Sequence, residues 1–468
     1  MMEFNYNKIK HSDIEKIKEI VGSENIFTEE ETRNIYGSDE TEDFKFPPEV
    51  VVKPIDTQQV SKILKLANEI NIPVTPRGGG TGLSGGALPI YGGICLSMEK
   101  FNRIIEIDEK NFQAVVEPGV ITQKFQEELE SRGLFYPPDP ASRGSCMLGG
   151  NLAENSGGPH AVKYGVTKDY VLSIEAVLPT GEIISTGSRT LKNVSGYNLT
   201  QLIIGSEGTL AVITKIIVRL IPLPKLRKVM LVAFNSIEDS VSAVASIFQE
   251  GITPAAIEFM EKSAIKATEE KNDKKFPNSN AEAHLLIEVD GNYEEILNKE
   301  IETIARVVER HNSLDILLAE DRQKVNDVWD LRRSIGEAVK SISAYKEEDT
   351  VVPRAHLPQL VKGVKDICNR YGITSICYGH AGDGNVHVNI LKDKLDDKTW
   401  DANIDKAIRE IFQLTVSLGG TISGEHGIGY SQKSYLPIAL SEIEIELMKK
   451  IKHLFDPKNI LNPGKIFA

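Results

Sequence analysis

Residues 76–86 read PRGGGTGLSGG, and six of these eleven residues are glycine. A backbone without Cβ atoms can adopt positive φ angles and can approach a ligand closely. Successive N–H groups in such a loop form a concave surface that suits phosphate oxygens. A flexible surface loop is the alternative, although such loops usually carry more serine, asparagine and lysine. The composition of this loop therefore favours a cradle for a phosphorylated ligand.

The residues around the loop exclude two common nucleotide-binding motifs. A Walker loop ends in Gly-Lys-Ser/Thr, which this loop does not contain. Before the loop, the pattern predicts strands at 50–52 and 73–74 and an amphipathic helix at 57–70. A Rossmann loop would lead directly into a helix, whereas the residues after this loop predict further strand.

The composition limits the class of protein. The 468 residues predict two or three domains, and 41% hydrophobic with 26% charged residues is typical of a soluble globular protein. A net charge of −13 argues against nucleic-acid binding. Four cysteines without Cys-x-x-Cys spacing argue against an iron–sulfur cluster and a disulfide framework. Because no apolar run approaches the length of a membrane span, we expect a cytoplasmic protein.

The order of predicted elements gives an α+β protein in four parts. Residues 1–46 predict helices, and residues 47–225 predict short strands, turns and a few helices. Residues 226–430 alternate strands and helices in a split β-α-β pattern, which is typical of a helix-backed antiparallel sheet. Residues 431–468 predict a helix and a tail that packs back on the second part.

Two further glycine segments lie in the second part of the chain. Residues 136–158 contain two Gly-Gly pairs, and residues 195–213 end in a turn that leads into a strand. Ordinary tight turns are the alternative interpretation. Three such segments in one domain predict an extended ligand that lies across them.

The chain resembles the FAD-linked 2-hydroxy-acid dehydrogenases in four places. These are PRGGGTGLSGG, PPDPASRGSCMLGGNLAENSGG, GYNLTQLIIGSEGTLAVIT and the tail FDPKNILNPGKIF. The family includes D-lactate dehydrogenases, the glycolate oxidase flavin subunit and D-2-hydroxyglutarate dehydrogenase. It has an FAD fold of the vanillyl-alcohol-oxidase type with two subdomains. The resemblance covers residues 47–468 and implies an FAD-binding domain at 47–225 and a substrate (cap) domain at 226–430.

The resemblance implies that FAD lies across the three glycine segments, with its pyrophosphate at the first. The tail returns towards the flavin. The residues that the resemblance assigns to FAD are Pro76, Arg77, Gly78, Gly79, Gly80, Thr81, Gly82, Ser84, Pro138, Asp139, Ser142, Cys146, Gly149, Gly150, Asn151, Asn155, Gly157, Gly158, Glu207, Gly208, Ile213 and Asn462.

Two later segments concentrate histidine. Strand alternation in 386–390 puts His387 and Asn389 on one face, and a glycine turn separates them from His380. Further on, Glu425 and His426 are adjacent. Two histidines and a glutamate with open positions can hold a catalytic Zn²⁺, Fe²⁺ or Mn²⁺. Hydrogen-bonded turn histidines and a buried Glu-His pair explain the spacing equally well.

The resemblance implies metal-assisted oxidation of a 2-hydroxy acid. It assigns His380, His387 and Glu425 as metal ligands and His426 as the base that takes the hydroxyl proton. The α-hydrogen then passes as hydride to flavin N5. Asn389 holds the substrate by a hydrogen bond. D-Lactate, oxidised to pyruvate, is the preferred substrate, with glycolate and D-2-hydroxyglutarate as alternatives.

The substrate carboxylate requires a cation. The segment 329–335 resembles the family segment whose first arginine binds this carboxylate, which implies that Arg332 does so here. A surface position on a helix fits the neighbouring Arg333 better. Lys346 is a second candidate, although it adjoins an acidic run and fits a solvated charge equally well.

The reduced flavin needs an acceptor, and the family uses several. We expect a protein partner and favour electron-transferring flavoprotein over a quinone, an iron–sulfur subunit or O₂. One rival function is a flavin-dependent ether-bond synthase of the same fold, which acts on lipid-like substrates. A rival of another class is a non-catalytic flavoprotein electron relay, which would not need the histidine segments.

Members with covalent flavin usually carry a histidine in or near the first loop, where this chain has Thr81, Leu83 and Ser84. We therefore predict that FAD is held non-covalently. Acid precipitation of the purified holoprotein should leave the yellow colour in the supernatant, as measured by visible absorption. A yellow pellet would contradict this prediction.

Overall fold

The computed structural model describes residues 5–41, 44–272 and 275–467. Residues 1–4 and 42–43 of the predicted N-terminal segment therefore lie outside the described residues. The chain forms two compact units. Unit 1 comprises Met1–Ser156, Val166–Leu223 and Glu425–Ala468, and unit 2 comprises Gly157–Gly165 and Pro224–Gly424. Unit 2 ends at Gly424, six residues before the boundary at 430 that the sequence predicted. It also includes residues 157–165, which the sequence placed in the FAD-binding domain.

Unit 1 contains two larger sheets and a short strand pair. Elements are numbered in chain order through both units. The strands of unit 1 are β1 (Ile26–Phe27), β2 (Val50–Val52), β3 (Val74–Arg77), β4 (Ile94–Ser97), β5 (Ile104–Asp108), β6 (Gln113–Val116), β7 (Leu134–Phe135), β8 (Val171–Val177), β9 (Ile183–Gly187), β10 (Val212–Arg219) and β11 (Ile221–Pro222). The sheets have the orders β1-β2-β4-β3 and β5-β6-β10-β8-β9, and β7 pairs with β11.

The helices of unit 1 are mostly short. They are α1 (His11–Val21), α2 (Glu30–Tyr36), α3 (Thr57–Ile70), α4 (Thr122–Glu130), α5 (Leu148–Glu154), α7 (Leu199–Ile203), α15 (Leu436–Ala439) and α16 (Glu442–Phe455).

Helix α3 shows how local sequence sets the glycine loop in place. Its N-cap Asp56 accepts a hydrogen bond from the N–H of Gln59, and its C-cap Asn71 adopts the left-handed conformation at φ +53. The helix buries the apolar stripe Val60, Ile63, Leu64 and Ala67. It connects the parallel strands β2 and β3 on either side of β4, and the glycines of the loop follow β3 directly.

The tail of the chain packs on β3. Leu461 forms a parallel bridge with Val74, the N–H of Val74 donates to Ile460 O at 2.8 Å, and the N–H of Asn462 donates to Val74 O at 2.8 Å. Ile460 and Leu461 are fully buried in the core of this sheet. The tail is therefore an integral part of unit 1.

Unit 2 contains one antiparallel sheet. Its strands are β12 (Leu226–Phe234), β13 (Ala256–Glu261), β14 (Ala283–Gly291), β15 (Ser313–Ala319), β16 (Tyr345–Val351), β17 (Thr374–Gly379) and β18 (Asn385–Leu391). The order is β15-β12-β14-β13-β17-β18-β16. The first four strands follow the split β-α-β arrangement, which confirms the predicted α+β class and antiparallel sheet.

The helices of unit 2 connect these strands. They are α6 (Ala161–Tyr164), α8 (Ile237–Gln249), α9 (Lys262–Lys271), α10 (Glu294–Arg310), α11 (Arg322–Arg333), α12 (Ile335–Lys340), α13 (Leu357–Arg370) and α14 (Asp397–Ser417). A buried core joins one side of the sheet to α9, α11 and α12 through Met260, Tyr378, Ala264, Trp329 and Ile335. Among the described helices of both units, none combines the length and the apolar character needed to cross a bilayer.

Candidate active site

A cleft in unit 1 joins the glycine loop to parts of the two later glycine segments. It contains about 1380 Å³ of space, part of it open to solvent. The predicted cofactor residues in its lining are Pro76, Arg77, Gly78, Gly79, Gly80, Thr81, Gly82, Ser142, Cys146, Gly149, Gly150, Asn151, Glu207, Gly208 and Ile213. The extended ligand predicted from the sequence therefore has a continuous cleft.

The glycines of this cleft serve two purposes. A Cβ at Gly79 would lie 2.6 Å from Ser145 O, so close packing of two loops requires glycine there. A Cβ on Gly82 or Gly150 would meet no atom within 4 Å, so the backbone at these positions borders open space. A phosphate-bearing ligand such as FAD can contact such backbone without interference from side chains. The residues present therefore fit FAD.

Seven predicted cofactor residues are outside the lining of this cleft as the structure describes it: Ser84, Pro138, Asp139, Asn155, Gly157, Gly158 and Asn462. Gly157 and Gly158 belong to unit 2. Ser84 O accepts from the N–H groups of Tyr430 at 2.8 Å and Ser431 at 3.0 Å. The Asn462 side-chain amide donates to Gly86 O at 2.9 Å and to Glu207 O at 2.8 Å. These contacts hold the glycine loop in shape, and any contact of the seven residues with FAD stays a prediction.

Glu425 and His426 line the same cleft, whereas the sequence placed both residues in the substrate domain at 226–430. Glu207 fixes the backbone that follows them. Its carboxylate accepts from the N–H groups of Ile428 at 2.8 Å and Gly429 at 2.6 Å. Glu207, which the sequence assigned to the cofactor, therefore also positions the segment that carries the predicted base.

Buried charges lie beside this segment. Burial and, next, the neighbouring carboxylate of Glu207 raise the pKa of Glu154 well above its ordinary value. Burial also raises the pKa of Glu207, against the opposing effect of the backbone N–H groups that it binds. Burial lowers the pKa of Lys465 to about 7, and its Nζ donates to Leu88 O at 2.5 Å. The cluster therefore carries less charge at neutral pH than its composition suggests.

In unit 2, the strand register brings polar residues to one side of the sheet. Tyr378 pairs with His387, and His387 pairs with Asp349. Paired residues on adjacent antiparallel strands point to the same side. Alternation along β18 puts Asn389 on this side as well, as the sequence predicted.

Glu258 lies on the same side, two residues before the β13 residue that pairs with Tyr378. Its fully buried carboxylate binds Arg332 Nη2 at 2.6 Å and His380 Nδ1 at 2.8 Å. Burial alone would raise the pKa of Glu258, but the charges of His380 and Arg332 outweigh this effect and lower it. Because the ionised carboxylate accepts the hydrogen of His380 Nδ1, the lone pair of the neutral ring is on Nε2.

Two buried polar groups on this side of the sheet have unmatched hydrogen-bonding capacity. Arg332 lies over the Tyr378 ring at 5.2 Å, and its Nε has no hydrogen-bond partner among the described residues. Asn389 is fully buried, and within the same part of the chain neither its Nδ2 nor its Oδ1 has a hydrogen-bond partner at normal distance, although its side chain interacts with the Tyr378 hydroxyl. A buried group of this kind costs about 1–3 kcal/mol. A guanidinium and an amide in this state are suited to bind a carboxylate and a hydroxyl group.

The two predicted histidine ligands of unit 2 are neighbours. The rings of His380 and His387 are 5.2 Å apart and nearly perpendicular, and a nitrogen of each lies within 4.8 Å of the other. The carboxylates of Glu347 and Asp349 lie 3.7 and 3.8 Å from His387 Nδ1. Two buried imidazoles at this separation fit one divalent metal ion. Glu425, the third predicted ligand, belongs to unit 1.

The strand register separates Lys346 from the polar residues on this side of the sheet. Lys346 pairs with Ile390 on β18, whereas its neighbour Glu347 pairs with Asn389. Strand alternation therefore directs Lys346 to the opposite side of the sheet. Its predicted role in the reaction stays a prediction.

Two known families match the chain. The family described as FAD binding domain matches residues 48–187, and the family described as FAD linked oxidases, C-terminal domain, matches residues 223–466. The chain belongs to the FAD-linked oxidase family. This result confirms FAD as the cofactor and oxidoreduction as the reaction class.

Relatives of this FAD-linked oxidase match over the full length. The chain is 40% identical to the glycolate oxidase subunit GlcD of Bacillus subtilis, over 97% of this chain and 96% of the relative. It is 38% identical to a D-lactate dehydrogenase of Anaerostipes hadrus, over 100% and 99%. A solved p-cresol methylhydroxylase with bound substrate superposes with a TM-score of 0.79 at 17% identity, over 98% of each chain. That likeness confirms the predicted vanillyl-alcohol-oxidase type of fold.

The sequence of this oxidase did not point to Glu258 and Glu288. Both are fully buried in apolar strands. Glu288 accepts from Trp329 Nε1 at 2.7 Å and from Arg227 Nη2 at 2.7 Å. The signal that could have found them is an acidic residue at a core position of a strand, because a buried carboxylate requires a partner.

Glu258→Gln should destabilise the protein by about 3–5 kcal/mol, because it removes one partner of a buried ion pair and places an amide donor against other donors. Urea unfolding of the variant measures this effect. Glu282→Gln is the matched control: Glu282 forms a half-exposed ion pair with Lys262 at 2.6 Å, and its loss should cost less than about 1 kcal/mol. Equal midpoints for the two variants would contradict the role given to Glu258.

Proposed function

We propose that this protein oxidises a 2-hydroxy acid to the 2-oxo acid, with D-lactate as the preferred substrate and pyruvate as the product. The observation that carries the proposal is the unmatched Arg332 Nε and Asn389 amide on one side of the unit 2 sheet. A 2-hydroxy acid offers a carboxylate and a hydroxyl group that complement them. The names of the D-lactate dehydrogenase and glycolate oxidase relatives support this substrate class, and glycolate and D-2-hydroxyglutarate are the alternative substrates.

In unit 2, Arg332 binds the substrate carboxylate. Its guanidinium is fixed on one edge by Glu258, which leaves Nε to donate to the ligand. Asn389 Nδ2 donates to a substrate oxygen, and Tyr378 covers the guanidinium face. Because all three side chains are buried or nearly so, they bind the substrate in a water-poor environment where charged hydrogen bonds are strong.

We propose that His380 and His387, with Glu425, hold a divalent metal ion, which is Zn, Fe or Mn. The fit rests on the two neighbouring imidazoles and on Glu258, which fixes the lone pair of His380 on Nε2. When bound, such an ion supplies Lewis acidity to the substrate hydroxyl group.

In unit 1, His426 takes the hydroxyl proton on a ring nitrogen. Its Nε2 lies 3.9 Å from Glu425 Oε1, and both side chains line the FAD cleft. An imidazole has a pKa suited to proton transfer near neutral pH. FAD supplies the two-electron acceptor for the α-hydrogen and its bonding electrons. Glu207 keeps His426 in place through the backbone at 428–429.

We further propose that a protein partner, electron-transferring flavoprotein, reoxidises the flavin in the cytoplasm. The net charge of −13 keeps the surface acidic, and a partner with a basic patch would be steered to it. Mixing the reduced protein with electron-transferring flavoprotein, a quinone or O₂ in separate stopped-flow experiments ranks these acceptors.

Anaerobic addition of D-lactate should bleach the visible absorption of the flavin. His426→Ala should slow flavin reduction by about 10²–10⁴-fold, because it removes the base. His11→Ala, at an exposed histidine of α1, is the control and should reduce at the normal rate. If no D- or L-hydroxy acid bleaches the flavin, with or without added metal, the protein is an electron relay and the proposed function is wrong.

Arg332→Lys should raise KM for D-lactate roughly 10- to 100-fold while the flavin spectrum stays unchanged. The lysine keeps a positive charge against Glu258 but loses the guanidinium edge that binds a carboxylate. Arg333→Lys provides the matched control on the same helix, since Arg333 is partly exposed over the Trp329 ring. A similar KM for both variants would show that Arg332 does not bind the substrate.

A further inference from the structure

Helix α16 has one face anchored in unit 1. Lys452 Nζ donates to Thr209 O at 2.7 Å, to Leu461 O at 2.8 Å and to Asp456 Oδ2 at 2.6 Å. The helix also begins with a capping box, in which Ser441 and Glu444 exchange hydrogen bonds. These contacts fix the position and the start of the helix. Even so, none of its fourteen residues, all of them described, is buried.

The other face of α16 is apolar and exposed. Ile443, Leu447 and Leu454 are 81%, 58% and 78% exposed. The spacing i, i+4 and i+11 places them in one stripe, with Lys450 between the last two. Single exposed aliphatic residues are ordinary on protein surfaces, but three in one stripe of a 14-residue helix form an apolar surface that Lys450 interrupts.

This stripe is symmetric about the middle of the helix. In an antiparallel pair with a two-fold axis between residues 448 and 449, Ile443 faces Leu454 of the second copy. Leu447 then faces Lys450 of that copy. A two-fold contact of this kind requires a surface that complements itself, and the positions of these four residues satisfy the requirement.

The charged residues of α16 also complement those of a second copy of the helix in this antiparallel arrangement. Glu442, Glu444 and Glu446 occupy the first half, and Lys449 and Lys450 begin the second half. The helix dipole favours this order within one helix. In the antiparallel pair, the acidic half of each copy also faces the basic half of the other, and Glu446 comes within reach of Lys450 of the second copy. A parallel pair would place like charges together.

We propose that α16 is the contact surface of a two-fold symmetric homodimer, in which the two copies of the helix pack antiparallel. This proposal is independent of the substrate and of the catalytic residues. A 14-residue helix is about 21 Å long, and a standard interface buries roughly 800 Å² on each partner. Because one helix supplies only part of that area, we expect a dimer whose population depends on protein concentration.

Sedimentation velocity of the FAD-loaded protein over a wide range of concentration tests the proposal. The wild type should convert from monomer to dimer, and Leu454→Glu should raise the dissociation constant roughly 100-fold, because it places a carboxylate against Ile443 in the acidic half of the second copy. Ile296→Glu is the matched control, since Ile296 is 53% exposed on α10, and it should dimerise like the wild type. Flavin reduction by substrate should be the same in all three proteins.

A charge exchange distinguishes a second copy from any other partner. Glu446→Lys and Lys450→Glu should each weaken the dimer, and the double variant should restore it, because the pair is re-formed with its charges reversed. A wild type that stays monomeric overturns the proposal. So does an unchanged dimer of Leu454→Glu, a dissociated Ile296→Glu, or a double variant that is weaker than both single variants.

Discussion

The need to pair a buried carboxylate organises unit 2. Glu258 is fully buried on β13, and an ionised group in such a place requires partners of opposite charge or strong donors. The partners of Glu258 are Arg332 at the end of α11 and His380 after β17. The backbone adapts to this arrangement, because Gly379 has φ +153 and a Cβ there would lie 2.7 Å from Asn385 O. One acid therefore sets the orientation of a guanidinium and of an imidazole.

Unit 1 uses a buried carboxylate in a different way. Glu207 binds backbone N–H groups of Ile428 and Gly429, so it orders a loop instead of pairing with a side-chain cation. Asn462 from the tail ties the same region to the glycine loop through Gly86 O and Glu207 O. Residues from four distant parts of the sequence are thus hydrogen-bonded together beside the FAD cleft. A glycine loop would be too flexible on its own to present its N–H groups in a fixed arrangement.

Structural features that depend on a local sequence pattern could be predicted, whereas features that depend on how distant strands and helices pair could not. Glycine spacing located the FAD cleft, and alternation correctly put His387 and Asn389 on one side of β18. The role of Glu258 could not be predicted from the sequence, because its partners are 74 and 122 residues away and no local pattern encodes such a pairing. The placement of Lys346 depends in the same way on which residue of β18 it faces. Segment 157–165 joined unit 2 because His160 and Lys163 pair with Glu288 and Asp290, contacts that its glycine-rich sequence does not suggest.

Hydrogen-bond satisfaction separates structural from functional polar groups in unit 2. Both oxygens of Glu288 accept bonds from Trp329 and Arg227, so this carboxylate serves the fold and offers little to a ligand. Arg332 Nε and the Asn389 amide are equally buried, yet they find no partner among the described residues. Each such group costs about 1–3 kcal/mol, a large part of a typical stability of about 5–15 kcal/mol. A ligand that supplies the missing acceptor and donor atoms would remove this cost, which is the physical basis of the proposed substrate contacts.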